Sequence, residues 1–310
     1  MSELAVPPES PPVPAHDGAI QAAQAAAWAS GVHLRELADM DDLERLCALI
    51  DEIWRPDPAN RPVSAEFLRA FAHAGSYVVG AFAGDQLVGG CVGFFSAPAT
   101  RTMHSHIAFV STRLIGKHVG FALKVHQRAW ALARGITAIN WTFDPLVCRN
   151  AYFNIAKLAA APAAYLPNFY GAMNDVINGG DDSDRLLVNW PLTADSVARA
   201  CRGAGLGADA ARLRAAGAAV ALDVDGDGWP AIADADRRVP TVLVRVPLDI
   251  ESVRLRDEAA AHQWRRAMRQ VLGGLIADGG QVTGFDRSGW YVVQRGTAAG
   301  EQSADRKARP

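Results

Sequence analysis

Two histidines one residue apart, His104 and His106, stand ahead of a glycine-containing run, Gly116-Lys-His-Val-Gly120. On an extended segment, residues i and i+2 point to the same side. The pair therefore offers two imidazoles on one face, able to take or relay a proton near neutral pH. Glycines ahead of a helix let a ligand approach the backbone, and the free amides of a helix start favour phosphate oxygens. Lys117 adds a positive charge beside them, and a plain turn feeding a core helix is the competing reading. Asp144, followed by Pro145, reads as a base or a ligand for an ammonium group, or as the carboxylate that fixes the turn before the next helix. Asn150 and Asn154 share a helical face and can bind amide groups or satisfy each other and the backbone. Tyr165, Asn168 and Tyr170 form either the wall of an acceptor pocket or packing.

Two acidic motifs are read more plainly. Asp223-Val-Asp-Gly-Asp-Gly228 matches the start of a calcium loop, but its twelfth position is Asp234 and Pro230 replaces a strand residue. An Asp/Gly-rich hairpin turn accounts for it, and no metal is expected. Asp181, Asp182 and Asp184 read as a solvated loop.

Alternating patterns place these residues. A strand at 33–37 precedes helices at 39–54, with Met40, Leu43, Leu46, Cys47, Ile50 and Trp54 on one face, and at 65–74, with Ser64 as its N-cap. Strands follow at 77–83, 86–96 and 102–111, the first two joined by the Gly84-Asp85 turn. Helix 119–134, strand 138–143, helix 148–160 and strand 186–190 complete a mixed α/β sheet flanked by helices. A strand (241–246), a long helix (257–277) and a hairpin (281–285 with 290–294) form a C-terminal extension. The predicted organisation is a mostly disordered leader at 1–30, whose Ala/Gln stretch can form a short helix with Trp28 as its one large anchor. A core at 31–192, the extension at 193–296 and a disordered tail at 297–310 follow.

The 310 residues are 50% hydrophobic and 21% charged, with a formal net charge of −2. A pI near 6.4 argues against a nucleic-acid coat. No run of about 18 apolar residues is present to span a membrane, and no basic start leads into an apolar secretory signal. Cys47, Cys91, Cys148 and Cys201 form no CxxC pair, which suits a reducing, cytoplasmic setting.

The element order and the Gly116–Gly120 loop resemble the GNAT superfamily of acyl-CoA-dependent N-acyltransferases, whose loop reads Arg/Gln-x-x-Gly-x-Gly/Ala. The blocks Gly116-Lys-His-Val-Gly-Phe-Ala-Leu-Lys124, Trp141-Thr-Phe-Asp-Pro-Leu146, Arg149-Asn-Ala-Tyr-Phe-Asn154 and Tyr165-Leu-Pro-Asn-Phe-Tyr-Gly171 are similar to a branch of predicted bacterial acetyltransferases. The resemblance implies a GNAT-type central sheet and acetyl-CoA or another acyl-CoA as co-substrate. It implies CoA contacts at Phe109, Val110, Gly116, Lys117, His118, Val119, Gly120 and Asn150. It also implies direct acyl transfer to the primary amine of a small molecule. Some members acting on arylalkylamines carry a similar His-x-His and relay protons through it. His104, His106, Asp144 and Tyr152 are the expected catalytic residues.

The loop departs from the family at Ile115 and His118, while Gly120 is kept. The thiolate-protonating tyrosine of many members falls near Ile155, one helical turn from Tyr152. These departures leave a GNAT-fold acyl-CoA or metabolite binding module without turnover as the alternative. The expected partner is the amine acceptor, with a homodimer left open and neither nucleic acid nor membrane.

Overall fold

The computed structural model describes residues 15–56, 63–114, 116–171 and 181–296. The Ala/Gln stretch of the expected leader does form a helix, α1 (Ala15–Ala29). Its buried stripe is Ala19, Ala22, Ala23 and Ala26, packed on α4 (Val119–Ala133), whereas Trp28 is 86% exposed. Small side chains let the two helices approach closely. A stripe of alanines among alanines has no contrast in hydropathy, so periodicity does not reveal it. Residues 1–14 and the tail at 297–310 lie outside the described residues.

The central sheet contains β1 (His33–Glu36), β2 (Tyr77–Ala83), β3 (Gln86–Phe95), β4 (Thr102–Val110), β5 (Ala138–Phe143), β6 (Ala161–Leu166) and β7 (Arg185–Pro191). Its order is β1-β2-β3-β4-β5-β7-β6, with β4 and β5 parallel and every other neighbour antiparallel. This is the mixed central sheet flanked by helices expected from the sequence. Two helices, α2 (Met40–Trp54) and α3 (Ala65–His73), cover one face through Leu43, Leu46, Ile50 and Leu68. Ser64 caps α3 as predicted, accepting from the Phe67 amide at 3.3 Å, and Asp39 caps α2 in the same way, accepting from the Asp42 amide at 3.0 Å. Helix α4 covers the other face.

After β5, helix α5 (Cys148–Ala151) widens into a π-wound stretch, Tyr152–Lys157, rather than continuing to residue 160. The Leu158 amide donates to the Phe153 carbonyl five residues back at 3.0 Å. Such widened turns re-aim side chains within a helix.

The extension adds α6 (Asp195–Ala200), α7 (Ala210–Ala215), β8 (Ala219–Val224), β9 (Pro230–Ile232), β10 (Thr241–Arg245), α8 (Ile250–Arg256) and α9 (Glu258–Met268). A second π-wound stretch (Arg269–Gly273), α10 (Gly274–Ala277), β11 (Gln281–Asp286) and β12 (Trp290–Gln294) complete it. Its strands form a second sheet, β11-β12-β10-β8-β9. One buried cluster runs from Trp141, Ile155 and Trp190 of the first layer into Val244, Trp264, Phe285 and Tyr291 of the extension. The Tyr291 hydroxyl donates to the Pro145 carbonyl at 2.8 Å, fixing the second sheet to the end of β5. Among the described residues, no helix is long and apolar enough to cross a membrane.

Candidate active site

The parallel pairing of β4 with β5 stops after three registered pairs, Thr102–Ala138, Met103–Ile139 and His104–Asn140. From Ser105 to Val110, β4 stays paired with β3 but has no described strand on its β5 side. A wedge therefore opens between two neighbouring parallel strands. One edge of that wedge is backbone that can bond an extended ligand. The divergence begins at a bulge: β3–β4 register passes from Val92–Ile107 to Gly93–Ser105, leaving His106 as the extra residue. Glycine at 93 suits this crowding, since a Cβ there would lie 2.8 Å from the His104 carbonyl oxygen.

His104 and His106 do share a face. Their rings stand 6.0 Å apart and both pack on Phe94, which in turn stacks on Phe71 of α3. They look toward the α2–α3 side, whereas Met103 and Ser105 look toward α4. Burial holds both imidazoles below the ordinary histidine value of 6.5, and His104 is lowered further by His106 and Lys124. Each is neutral, and able to accept a proton, near neutral pH.

Gly116, Lys117 and His118 are exposed at the end of β4, while Val119 is buried. Gly116 has φ 85° and His118 φ 62°, so two left-handed residues turn the chain into α4. His118 sits at the N-cap without a side-chain cap, and the first intrahelical bond is from the Ala122 amide to its carbonyl at 3.1 Å. The amides of Val119, Gly120 and Phe121 precede that bond, leaving a start suited to an anion. Ile115, noted from the sequence as a departure from the loop it resembles, lies outside the described residues. Val110 rests half-buried with its Cγ2 3.7 Å from the place a Cβ on Gly120 would occupy. Phe109 does not offer its ring to this site: it is buried against Trp54 of α2 at 5.5 Å. Its contribution is confined to the main chain of β4.

A groove runs from this loop along the α5 side. One part, about 470 Å³, is lined by Ala26 of α1 and Ser30 just after it, by His118 and Phe121, by Tyr152 and by Gly203 and Gly205. A second part, about 460 Å³, is shared by His118, Tyr152 and Lys157 with Arg149, Leu248 and Arg287. Tyr152 is thus brought beside the glycine loop at the junction of both parts. Asn150 is half-buried next to it, whereas Asn154 is buried and its Oδ1 accepts from the Trp141 indole at 3.1 Å.

Asp144 is not poised as a base. Its carboxylate accepts from Arg265 Nη1 and Nη2 at 2.7 and 2.8 Å, from Arg254 at 2.8 Å and from the Leu146 amide at 2.9 Å. Burial opposes its charge, but the Arg265 and Arg254 guanidiniums outweigh burial and hold the carboxyl well below the usual range. It anchors the extension to the end of β5. Asp181 and Asp184 correct the solvated-loop expectation in the same way. Asp181 takes Arg265 Nε at 3.0 Å and His262 at 3.2 Å, and fully buried Asp184 takes Arg269 and the Tyr165 hydroxyl at 2.7 Å. Only Asp182 of the three is exposed. Tyr165 and Asn168 are therefore structural, and Tyr170 is exposed with its hydroxyl 3.2 Å from that of Thr142. In the Asp223–Gly228 segment, Asp223 pairs with Arg214 and Arg245 while Asp225 caps its own turn.

Sequence reasoning missed one cluster altogether. Lys124 of α4 is buried under the wedge, its ammonium donating to Ser105 Oγ at 3.0 Å and Gln127 Oε1 at 2.7 Å and lying 3.7 Å from the Trp141 ring. Gln127 in turn donates to Cys91 Sγ at 3.3 Å. Burial lowers the lysine to about 8. The available signal was a Lys and a Gln three apart on the face α4 must bury.

No protein-family model matches the chain, and no curated protein matches it. Solved structures do resemble it. One is a GNAT-family acetyltransferase from Streptococcus pneumoniae, at 15% identity and TM-score 0.43, over 51% of this chain and 97% of that one. Another is a ribosomal-protein-alanine N-acetyltransferase from Brucella melitensis, at 16% and 0.43, over 51% and 99%. A third is an N-acetyltransferase from Staphylococcus aureus Mu50, at 16% and 0.42, over 52% and 98%. A likeness of this strength assigns neither activity nor substrate, which have to come from the site's own residues.

Proposed function

We propose that this chain is a GNAT-type acyltransferase that moves an acyl group from CoA to the primary amine of a small molecule. The observation that carries the reading is the wedge at Ser105, with a free strand edge, uncapped first-turn amides at its end and two neutral histidines on its far face. Acyl-CoA fits the residues present: the α4 start and Lys117 suit a pyrophosphate, and the open edge of β4 suits amide groups. When bound it supplies an activated thioester. Direct attack by the amine forms the C–N bond and breaks the C–S bond. The amine's proton goes to His104 or His106, and the departing sulfur takes one from Tyr152. Asp144 has no part in these transfers.

The test is release of free CoA thiol from acetyl- or succinyl-CoA across a panel of amines. Thermal stabilisation by CoA without release would replace this reading with a binding module, and neither response would remove both. Gly120→Val, whose first added carbon meets only ordinary contact, should weaken CoA binding while leaving the melting temperature close to wild type. An unaltered CoA dissociation constant would contradict the role given to the α4 start.

A further inference from the structure

Lys124 carries a buried charge that the transfer described above does not use. Its ammonium sits at the apex of the wedge and touches the first residue past the last registered pair on each strand. These are Ser105 of β4, with Oγ at 3.0 Å, and Trp141 of β5, with its ring at 3.7 Å. Gln127 Oε1 is the third partner, at 2.7 Å. Three partners occupy the three donors of an ammonium, which leaves none for a ligand. None of the three is an anion, and burial keeps the neighbouring Cys91 thiol neutral. A cation held without a counter-charge in a poorly polarisable interior acts on the groups around it. Ser105 faces Lys124 from one side of β4, and His104, the residue before it, stands on the other side. His106 is the extra residue of the bulge and is exposed. Of the two imidazoles, His104 is the one on which the Lys124 charge bears. The other elements against His104 bring no charge to it: Phe94 from β3, Phe71 of α3 behind that ring, and Asn140 from β5.

We propose that Lys124 is a positioning residue for acyl transfer: its charge under the apex of the wedge keeps the amine's proton off His104 and directs it to His106. The proposal rests on the acyltransferase reading above and deepens it, since that reading leaves the two histidines equivalent. A proton on His104 would stand across a single strand from an uncompensated cation. On His106 it stands at the outer side of the bulge, open to water. As the amine nitrogen bonds the acyl carbon it loses a proton, His106 takes that proton, and water removes it. The bulge thereby separates two imidazoles that share a face but not a task. A lysine that burial disfavours, retained without an anion, is an arrangement suited to tuning the protonation of its neighbours.

The experiment follows the two imidazoles by NMR titration of the full chain, for the wild type, Lys124→Met and Ser105→Ala. In the wild type His106 should take its proton at higher pH than His104. Lys124→Met removes a nearby positive charge, so the His104 midpoint should move to higher pH while that of His106 stays. Ser105→Ala keeps the charge and loses only the hydroxyl contact, so both midpoints should stay, and melting temperatures confirm that each variant folds. Thiol release gives the second readout. His106→Gln should lower it by about a hundredfold and abolish its acid limb, whereas His104→Gln should keep the limb. An unmoved His104 midpoint in Lys124→Met, or an acid limb that depends on His104 and not on His106, would overturn the proposal and leave the acyltransferase reading standing. A wild type that releases no thiol would overturn both.

Discussion

Lys124 has no carboxylate partner among the described residues; its ammonium rests on Ser105, Gln127 and the Trp141 ring. Burial takes its pKa from the ordinary 10.5 to about 8. Because the folded value lies below the unfolded one, the unfolded chain holds the extra proton between them, and stability rises with pH across that window. The cost to folding is complete below about pH 8 and has vanished above the unfolded value. At about 1.4 kcal/mol per pKa unit it amounts to roughly 3 kcal/mol, of which about 2 is recovered between about pH 7 and about pH 9.5. Lys124→Met removes the titration and keeps an unbranched side chain against Trp141. Urea unfolding of both proteins should therefore show the wild type gaining about 2 kcal/mol on the variant between those two pH values. Groups common to both proteins cancel in the comparison. Cys91, the neighbouring thiol, is pushed up by burial and stays neutral through most of the window. Parallel pH profiles for the two proteins would refute the reasoning.

Three further outcomes follow from the site and its supports. Replacing His104 and His106 together by Gln should lower thiol release by about a hundredfold and abolish its acid limb, which lies below 6.5 in the wild type, with CoA affinity unchanged. A double variant as active as wild type would remove both from the mechanism. Asp144→Asn leaves buried Arg265 and Arg254 under-compensated and should cost about 3 kcal/mol in urea unfolding; a loss under about 0.5 kcal/mol would show the network to be dispensable. Starting the chain at Ser30 strips α1 from α4 and should lower the melting temperature by several degrees, whereas a disordered leader would leave it unchanged.

The central sheet was legible because each strand and helix there has its own contrast. β2 and β3 are apolar runs joined by the Gly84-Asp85 turn, β5 alternates, and Ser64 announces its helix. What escaped depends on distant partners. Asp181 looks solvated until Arg265, 84 residues away, is folded over it. Strand β6 was hidden by Pro162, tolerated at a register shift on the sheet's edge. The shared face of His104 and His106 followed from a period of two, but the bulge at His106 is a property of the pairing with β3 and has no mark in β4 itself. Phe109 shows the limit of carrying a motif over by position, since the bulge turns its ring into the core under α2. Nothing about His118 signalled that Arg287 would line the same groove, because proximity of a hairpin turn to a helix start is set by the second sheet.

The ion pairs around Asp144 also dictate an order of events. Asp144 waits for Arg254 across 110 residues and for Arg265 across 121. A chain made from its N-terminus has therefore produced the whole first sheet before the cations that neutralise Asp144 and Asp181 have been synthesised. Until they arrive, those carboxylates keep their water, and the end of β5 cannot be sealed without stranding a charge. Final closure of the first layer is thus a late event, governed by long-range loop closure and completed only after Arg254 and Arg265 have been made. In the interval the apolar surface that β5 and α5 share with the extension stays exposed.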